Sequence, residues 1–149
     1  IRHGDFCFST LICSELTDIE NRTRLRGLID ALFVVEWNKD VNSFAPIVEA
    51  TALDLSAYVI QCNNNEYGDN RIRVPAKEKH LRDLIRLRGG DAPYYVCESL
   101  DVNALRAHQE EWFANRDGAR TTREDWAFKP LPRGYKLFRF RFPDSECAE

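Results

Sequence analysis

The sequence predicts an α/β domain built on a mixed sheet, and three observations carry that expectation. Three short apolar runs, rich in β-forming residues, end near Cys13, Trp37 and Cys62. The first two are each followed by a segment with helix punctuation, and a strand-rich stretch then leads into one more helix.

Phe6 to Cys13 is apolar on both faces toward its end, the pattern of a buried strand, which is expected to stop at Cys13. Thr17-Asp18-Ile19-Glu20 has capping-box spacing, Arg24 and Arg26 fall in the last turn, and Gly27 can end a short helix in the left-handed region. Ile29 to Trp37 is the second buried strand. Ser43 is expected to cap the next helix, with Pro46 in its first turn and Val48, Ala52 and Leu55 recurring at helical spacing to about Ala57. Tyr58 to Cys62 is the third strand, stopped by Asn63-Asn64-Asn65 and the turn chemistry of Tyr67-Gly68-Asp69-Asn70.

Ile72 to Pro75 alternates like a short strand near an edge. Leu81 to Leu87 fits both periods; Gly89-Gly90-Asp91 followed by Tyr94 to Cys97 suggests a hairpin and decides for strand. Asp101 caps a helix from Val102 to about Phe113. Beyond Asn115 the chain turns polar, passes through a Pro-rich linker at 129–134, and is expected to close on a strand from Tyr135 to Phe142. The division is therefore a domain over 1–113 and an extension over 114–149.

At 149 residues the chain suits one domain plus an appendage. A net charge of −3 provides no general field for phosphate backbones or anionic lipid. Five cysteines, an odd number without a CxxC pair, signal neither a disulfide framework nor a zinc knuckle, and a reducing cytoplasm fits them best. No apolar run approaches the roughly 20 residues that span a bilayer. His3, His80 and His108 share no ligand spacing with Cys, Asp or Glu, so no metal is expected, and Gly89-Gly90 is too short to cradle phosphate; no cofactor is implied. With Ile1 leading almost directly into a strand, a segment of the same chain is expected upstream.

Cys13 stands at the carboxyl end of a strand and before a helix, where open α/β sheets collect ligand sites. Its plainer reading is a packing cysteine. Around it run Leu11-Ile12-Cys13-Ser14-Glu15-Leu16, then Val34-Val35-Glu36-Trp37, Tyr58-Val59-Ile60-Gln61-Cys62-Asn63, Tyr67 through Pro75, and Tyr95-Val96-Cys97-Glu98-Ser99-Leu100-Asp101. In order and spacing these blocks resemble the second half of the nitrilase and amidase superfamily of carbon–nitrogen hydrolases, over roughly residues 4 to 110. The resemblance implies an αββα sandwich with mixed sheets, represented here by about its C-terminal half. It also implies a Cys nucleophile at Cys13 and a backbone oxyanion donor at Ser14. The family's Glu base and Lys precede the nucleophile and have no counterpart in this sequence.

Glu15 takes the family's acidic position two after the nucleophile, as an orienting or substrate-side group or else a solvated helix-entry residue. Trp37 and Asn38 follow the second strand as candidate substrate-wall residues; partial burial is the alternative for Trp37. Asn63, on the same edge, is a further candidate, with turn formation as its alternative. Ser14 replaces the usual aromatic, Asn70 the common Ser, and the family's Arg-Phe-Pro-Glu stretch is missing after Glu15.

The implied activity of the full-length protein is hydrolysis of a non-peptide amide or nitrile bond, this portion being inactive alone. The rival expectation is a non-catalytic nitrilase-like binding or assembly module of a larger multidomain protein. Expected partners are the small-molecule amide or nitrile and further copies of the chain, with the tail as a subunit contact. Lys136, Arg139 and Arg141 alternate with Phe138, Phe140 and Phe142, which would suit nucleic acid, but the acidic balance argues against it.

Overall fold

In the computed structural model, which describes residues 1–92, 95–114 and 127–138, two helices return the chain to the same end of a sheet and so make three successive strands parallel. The strands are β1 (Arg2–His3), β2 (Phe6–Ile12), β3 (Ala31–Val35), β4 (Tyr58–Cys62), β5 (Asn70–Arg73) and β6 (Asp83–Leu87), adjacent in chain order. Helix α1 (Ile19–Leu25) joins β2 to β3 and α2 (Val41–Leu55) joins β3 to β4; α3 (Val102–Ala114) comes last. β1, β5 and β6 pair antiparallel with their neighbours, so the sheet is mixed, as expected.

The parallel strands are apolar on both faces because both are covered, at least in part. On one face Leu11, Leu32, Val34 and Val59 pack against Phe44, Val48, Ala52 and Leu55 of α2, with Leu16 and Ile29 completing the cluster. Burying each such side chain stabilises the fold by about 1.5–3 kcal/mol. The other face carries Phe6, Phe8, Ala31, Phe33, Tyr58 and Ile60, covered by Val102 and Leu105 of α3 and by Phe128. Phe8 and Phe33 meet edge to face at 5.5 Å. That cover stops short of the carboxyl ends of the strands, where Ile12 is 63% and Val35 49% exposed.

At β5 and β6 the helix-side face turns ionic. The fully buried Arg71 donates to Gln61 Oε1 at 2.7 Å and pairs with Asp69, which also accepts from Arg86 at 2.7 Å. Arg73 pairs with Asp83 at 2.5 Å and approaches Glu49 of α2 at 3.5 Å.

Several expectations need correction. Asp40, not Ser43, caps α2, accepting from Ser43 N–H at 3.2 Å, so Pro46 lies in the second turn and leaves the Asn42 carbonyl without its i+4 donor. The late hairpin joins β5 to β6 through 74–82, and Tyr95 to Cys97 form no strand; Pro93 and Tyr94 lie outside the described residues. Gly89 and Gly90 serve packing instead: a Cβ on Gly68 would sit 2.0 Å from Gly89 N, and Gly90 N–H donates to Asn65 O at 2.9 Å. Residues 135–138 are not a strand, and Arg139 to Phe142 lie outside the described residues.

Residues 127–138 instead form a strap across the domain. Phe128 bridges Ala76, Lys129 N–H donates to Pro75 O at 2.9 Å, and Tyr135 Oη donates to Leu55 O at 3.0 Å. Phe138 N–H then reaches Gly27 O at 3.1 Å. Gly27 has φ +76° and a Cβ there would lie 1.8 Å from Lys136 O, so both its conformation and its contact require glycine. Gly27→Ala is expected to lower the thermal midpoint by several degrees, corresponding to at least about 2 kcal/mol. An unchanged midpoint in thermal denaturation would contradict the docking of the strap.

Candidate functional site

Register alone assembles an edge. Ile12 faces Val35 and Val35 faces Cys62, so Cys13, Glu36 and Asn63 follow one another at the carboxyl ends of three adjacent strands. This is the rim where α/β sheets place their chemistry.

Cys13 leaves β2 by an abrupt turn. It has φ +46°, in the left-handed region that L residues other than Asn and Asp rarely enter, and it starts a 3₁₀ turn over Cys13–Leu16. Such a conformation costs about 1–3 kcal/mol and persists only where neighbouring interactions determine it. Three sets of hydrogen bonds do so here. Glu15 Oε2 accepts from Ile12 N–H at 2.7 Å. Ser14 O accepts from both Thr17 N–H at 3.0 Å and Thr17 Oγ1 at 2.7 Å. Asn21 Nδ2, from α1, donates to Glu15 O at 3.1 Å. Each such bond contributes about 0.5–1.5 kcal/mol, so that the four together are enough to offset the strain.

Cys13 is half-buried and Ser14 exposed. As the second residue of the turn, Ser14 has no acceptor for its N–H within the turn itself. Trp37 is 72% exposed beside the rim. Asn38 and Asn63 are tied together: Asn63 Oδ1 accepts from Asn38 N–H and Asn64 N–H, both at 2.8 Å, while Nδ2 donates to Asn38 O at 2.8 Å and Gly68 O at 2.9 Å. These four bonds occupy both hydrogens and both lone pairs of the amide. Asn63 thus staples the β3 and β4 ends to the turn after β4, and Asn38 O and N–H are consumed in the same staple.

A cavity of about 400 Å³ opens on the less covered face, with Ile60, Ile72, Ile85 and Leu87 for its floor and Cys62 and Tyr95 on its rim. Cys13 does not line it. The four described cysteines are free thiols, and no group of three or more His, Cys, Asp or Glu able to hold a metal occurs among the described residues. Nor is any described helix long and apolar enough to cross a membrane.

No protein-family model and no curated protein sequence matches this chain. Among solved structures it is similar to XC1258 from Xanthomonas campestris, a CN-hydrolase superfamily protein with an arsenic adduct in its active site. The TM-score is 0.58 at 15% identity, over 80% of this chain and 49% of that one. The chain has a CN-hydrolase-type fold. It spans about half the length of that superfamily protein.

One residue of the rim escaped the sequence reading. Glu36, immediately after β3, is only 7% exposed, and neither carboxylate oxygen has a partner in hydrogen-bond geometry. Desolvation by burial pushes its pKa up from 4.5 to about 7, against smaller downward pulls from the Gln61 and Asn38 amides and the Arg71 charge. Those amides lie near, but with both oxygens poorly aligned, burial prevails. A glutamate closing the run Val34-Val35 reads as a solvated strand end; only the buried Gln61 on β4 and Arg71 on β5 reveal otherwise.

Because the folded pKa lies above the unfolded one, the native state holds the proton more tightly between these values. Stability from this group is complete below about pH 4.5 and is lost as pH rises through about 7. Glu36→Gln is expected to flatten that decline and to raise stability at pH 8 by up to about 3 kcal/mol. Denaturant titrations at pH 5 and 8 check it, and parallel profiles for the two proteins would refute it.

Proposed function

We propose that the chain is about the C-terminal half of a carbon–nitrogen hydrolase domain, and that the complete protein hydrolyses a non-peptide amide or nitrile with Cys13 as nucleophile. The observation that carries this reading is the left-handed turn at Cys13, which puts a thiol at the carboxyl rim of a CN-hydrolase-type sheet. Ser56 and Asp69 also have positive φ, Ser56 as the left-handed cap that ends α2; what sets Cys13 apart is that its strained backbone belongs to a chemically capable residue on such a rim, where strain tends to gather at functional sites.

The chemistry follows from what a thiolate does at an electrophilic carbon. For an amide, sulfur adds to the carbonyl carbon, and the negative charge on oxygen is met by the Ser14 N–H. The C–N bond then breaks as nitrogen takes a proton and leaves as ammonia or an amine. Water attacks the resulting thioester, releasing the acid and returning the thiol. A nitrile would add sulfur to its carbon first and take up two waters overall, giving acid and ammonia.

The base and the lysine that the superfamily uses are assigned to an upstream segment of the same polypeptide. The exposed row Ile12, Val35 and Cys62 is the surface that such a segment would cover. Trp37 is a substrate-wall residue in this scheme. Asn38 and Asn63 shape the wall through the backbone, since their staple leaves the Asn63 amide no capacity for a ligand.

Iodoacetamide labelling of the intact protein, read by peptide mass, is expected to modify Cys13 at least about tenfold faster than Cys62 or Cys97. Cys97, exposed and outside the row to be covered, is the reference that reports on Cys13; Cys62 is slowed in any case, because desolvation, and secondarily the Glu36 carboxylate, push its thiol up. Cys13→Ala is expected to reduce hydrolysis of a simple amide panel by at least about a thousandfold. Equal labelling of the three thiols, with no amide or nitrile turned over, would instead favour a non-catalytic assembly module.

A further inference from the structure

We propose that Glu15 is a positioning residue for Cys13, acting as an acceptor that holds the reactive turn rather than as a group that touches substrate or moves protons. The inference rests on the reading of Cys13 as nucleophile, and it assigns the control of that thiol's presentation to its own turn.

A left-handed position is ordinarily filled by glycine, which meets no steric penalty there. A nucleophile cannot be glycine, so the conformation must be imposed from outside the residue. Around Cys13 the imposed bonds fall on successive peptide groups: Ile12 N–H on Glu15 Oε2, Ser14 O under Thr17, and Glu15 O under Asn21. Only the first reaches the strand side of Cys13. Thr17 and Asn21 fix the turn to itself and to α1, whereas the Glu15 carboxylate ties the turn back to the last residue of β2. It spans the strained residue and is therefore the bond on which the angle between strand and turn depends. This is the second half of a capping box, in which the side chain of the third residue reaches the backbone N–H ahead of the helix.

The same geometry separates this role from substrate contact. A carboxylate bonded to Ile12 N–H at 2.7 Å is folded onto the strand end. What the turn needs from it is a lone pair, not a charge, and glutamine supplies the lone pair equally well.

The test compares Glu15→Ala, Glu15→Gln and Thr17→Val in the intact protein. Two readouts are followed: the iodoacetamide rate at Cys13 relative to Cys62 and Cys97, and amide exchange at Ile12. Glu15→Ala is expected to lower the Cys13 ratio about fivefold or more and to speed Ile12 exchange by a similar factor, on the order of one lost hydrogen bond. Glu15→Gln should stay within about twofold of the parent on both. Thr17→Val, which removes only the hydroxyl bond to Ser14, should leave Ile12 exchange within about twofold of the parent and lower the Cys13 ratio less than Glu15→Ala does, which separates the Glu15 bond from a general loosening of the turn.

Unchanged Ile12 exchange in Glu15→Ala would overturn the proposal. So would an equal loss of labelling in the alanine and glutamine variants, which would assign the effect to charge. If Cys13 in the parent is no faster than the reference thiols while Ile12 exchange follows the expected order, the clamp stands and the nucleophile assignment is what has failed.

Discussion

The parallel register of β2, β3 and β4 is the constraint from which the rest of the structure follows. Leu32, Val34 and Val59 commit one face of these strands to α2, and a slip of one residue would turn that face outward and bury the other set. With register fixed, the strands end level and the residues after them are delivered to one rim. Cys13, Glu36 and Asn63 meet there although they come from three separate parts of the chain. The rim is thus a product of core packing, mounted on strands whose helix-facing residues Leu32, Val34 and Val59 are fully buried.

The two sides of that rim are held in different ways. Around Cys13 the backbone is clamped by the exposed Glu15 and Thr17 and the half-buried Asn21. Around Asn63 a single side chain spends its whole hydrogen-bonding capacity on two strands and a turn. Between them Glu36 is buried with its oxygens poorly met. The first two arrangements are satisfied and rigidify; the third is costly when ionised, and it abuts the ionic half of the sheet where Arg71 and Asp69 are paired.

Strands β3 and β4 were legible because apolar runs bounded by turn residues leave few alternatives, and Gly27 and Asp101 marked helix ends through chemistry local to them. What failed was decided at a distance. The Tyr95 region was read as a strand from composition, but β6 already has β5 as its partner and Gly89 and Gly90 are held against the turn after β4. Ser43 looked like a cap until Asp40, three residues earlier, took its N–H. Cys13 could be singled out by position and by resemblance, yet its left-handed backbone was invisible, since no periodicity reports a conformation imposed by hydrogen bonds from Glu15 and Thr17. Glu36 was missed because burial of a carboxylate depends on Gln61 and Arg71: the apolar pattern puts Gln61 on a strand without saying which way it faces, and it leaves Arg71 ahead of the strand expected from Ile72.

The strap over 127–138 has a consequence for how the protein is made. Its tyrosine closes onto Leu55, 80 residues earlier, and it ends on Gly27, more than a hundred residues back. A ribosome adding 5–20 residues per second will have released the parallel strands for several seconds before this segment emerges. Until then the Leu55 carbonyl lacks its late partner, and the underside of α3 is without Phe128. Whatever the parallel strands have built by then, the Leu55 carbonyl and the α3 side of the sheet gain this last cover only when the strap arrives.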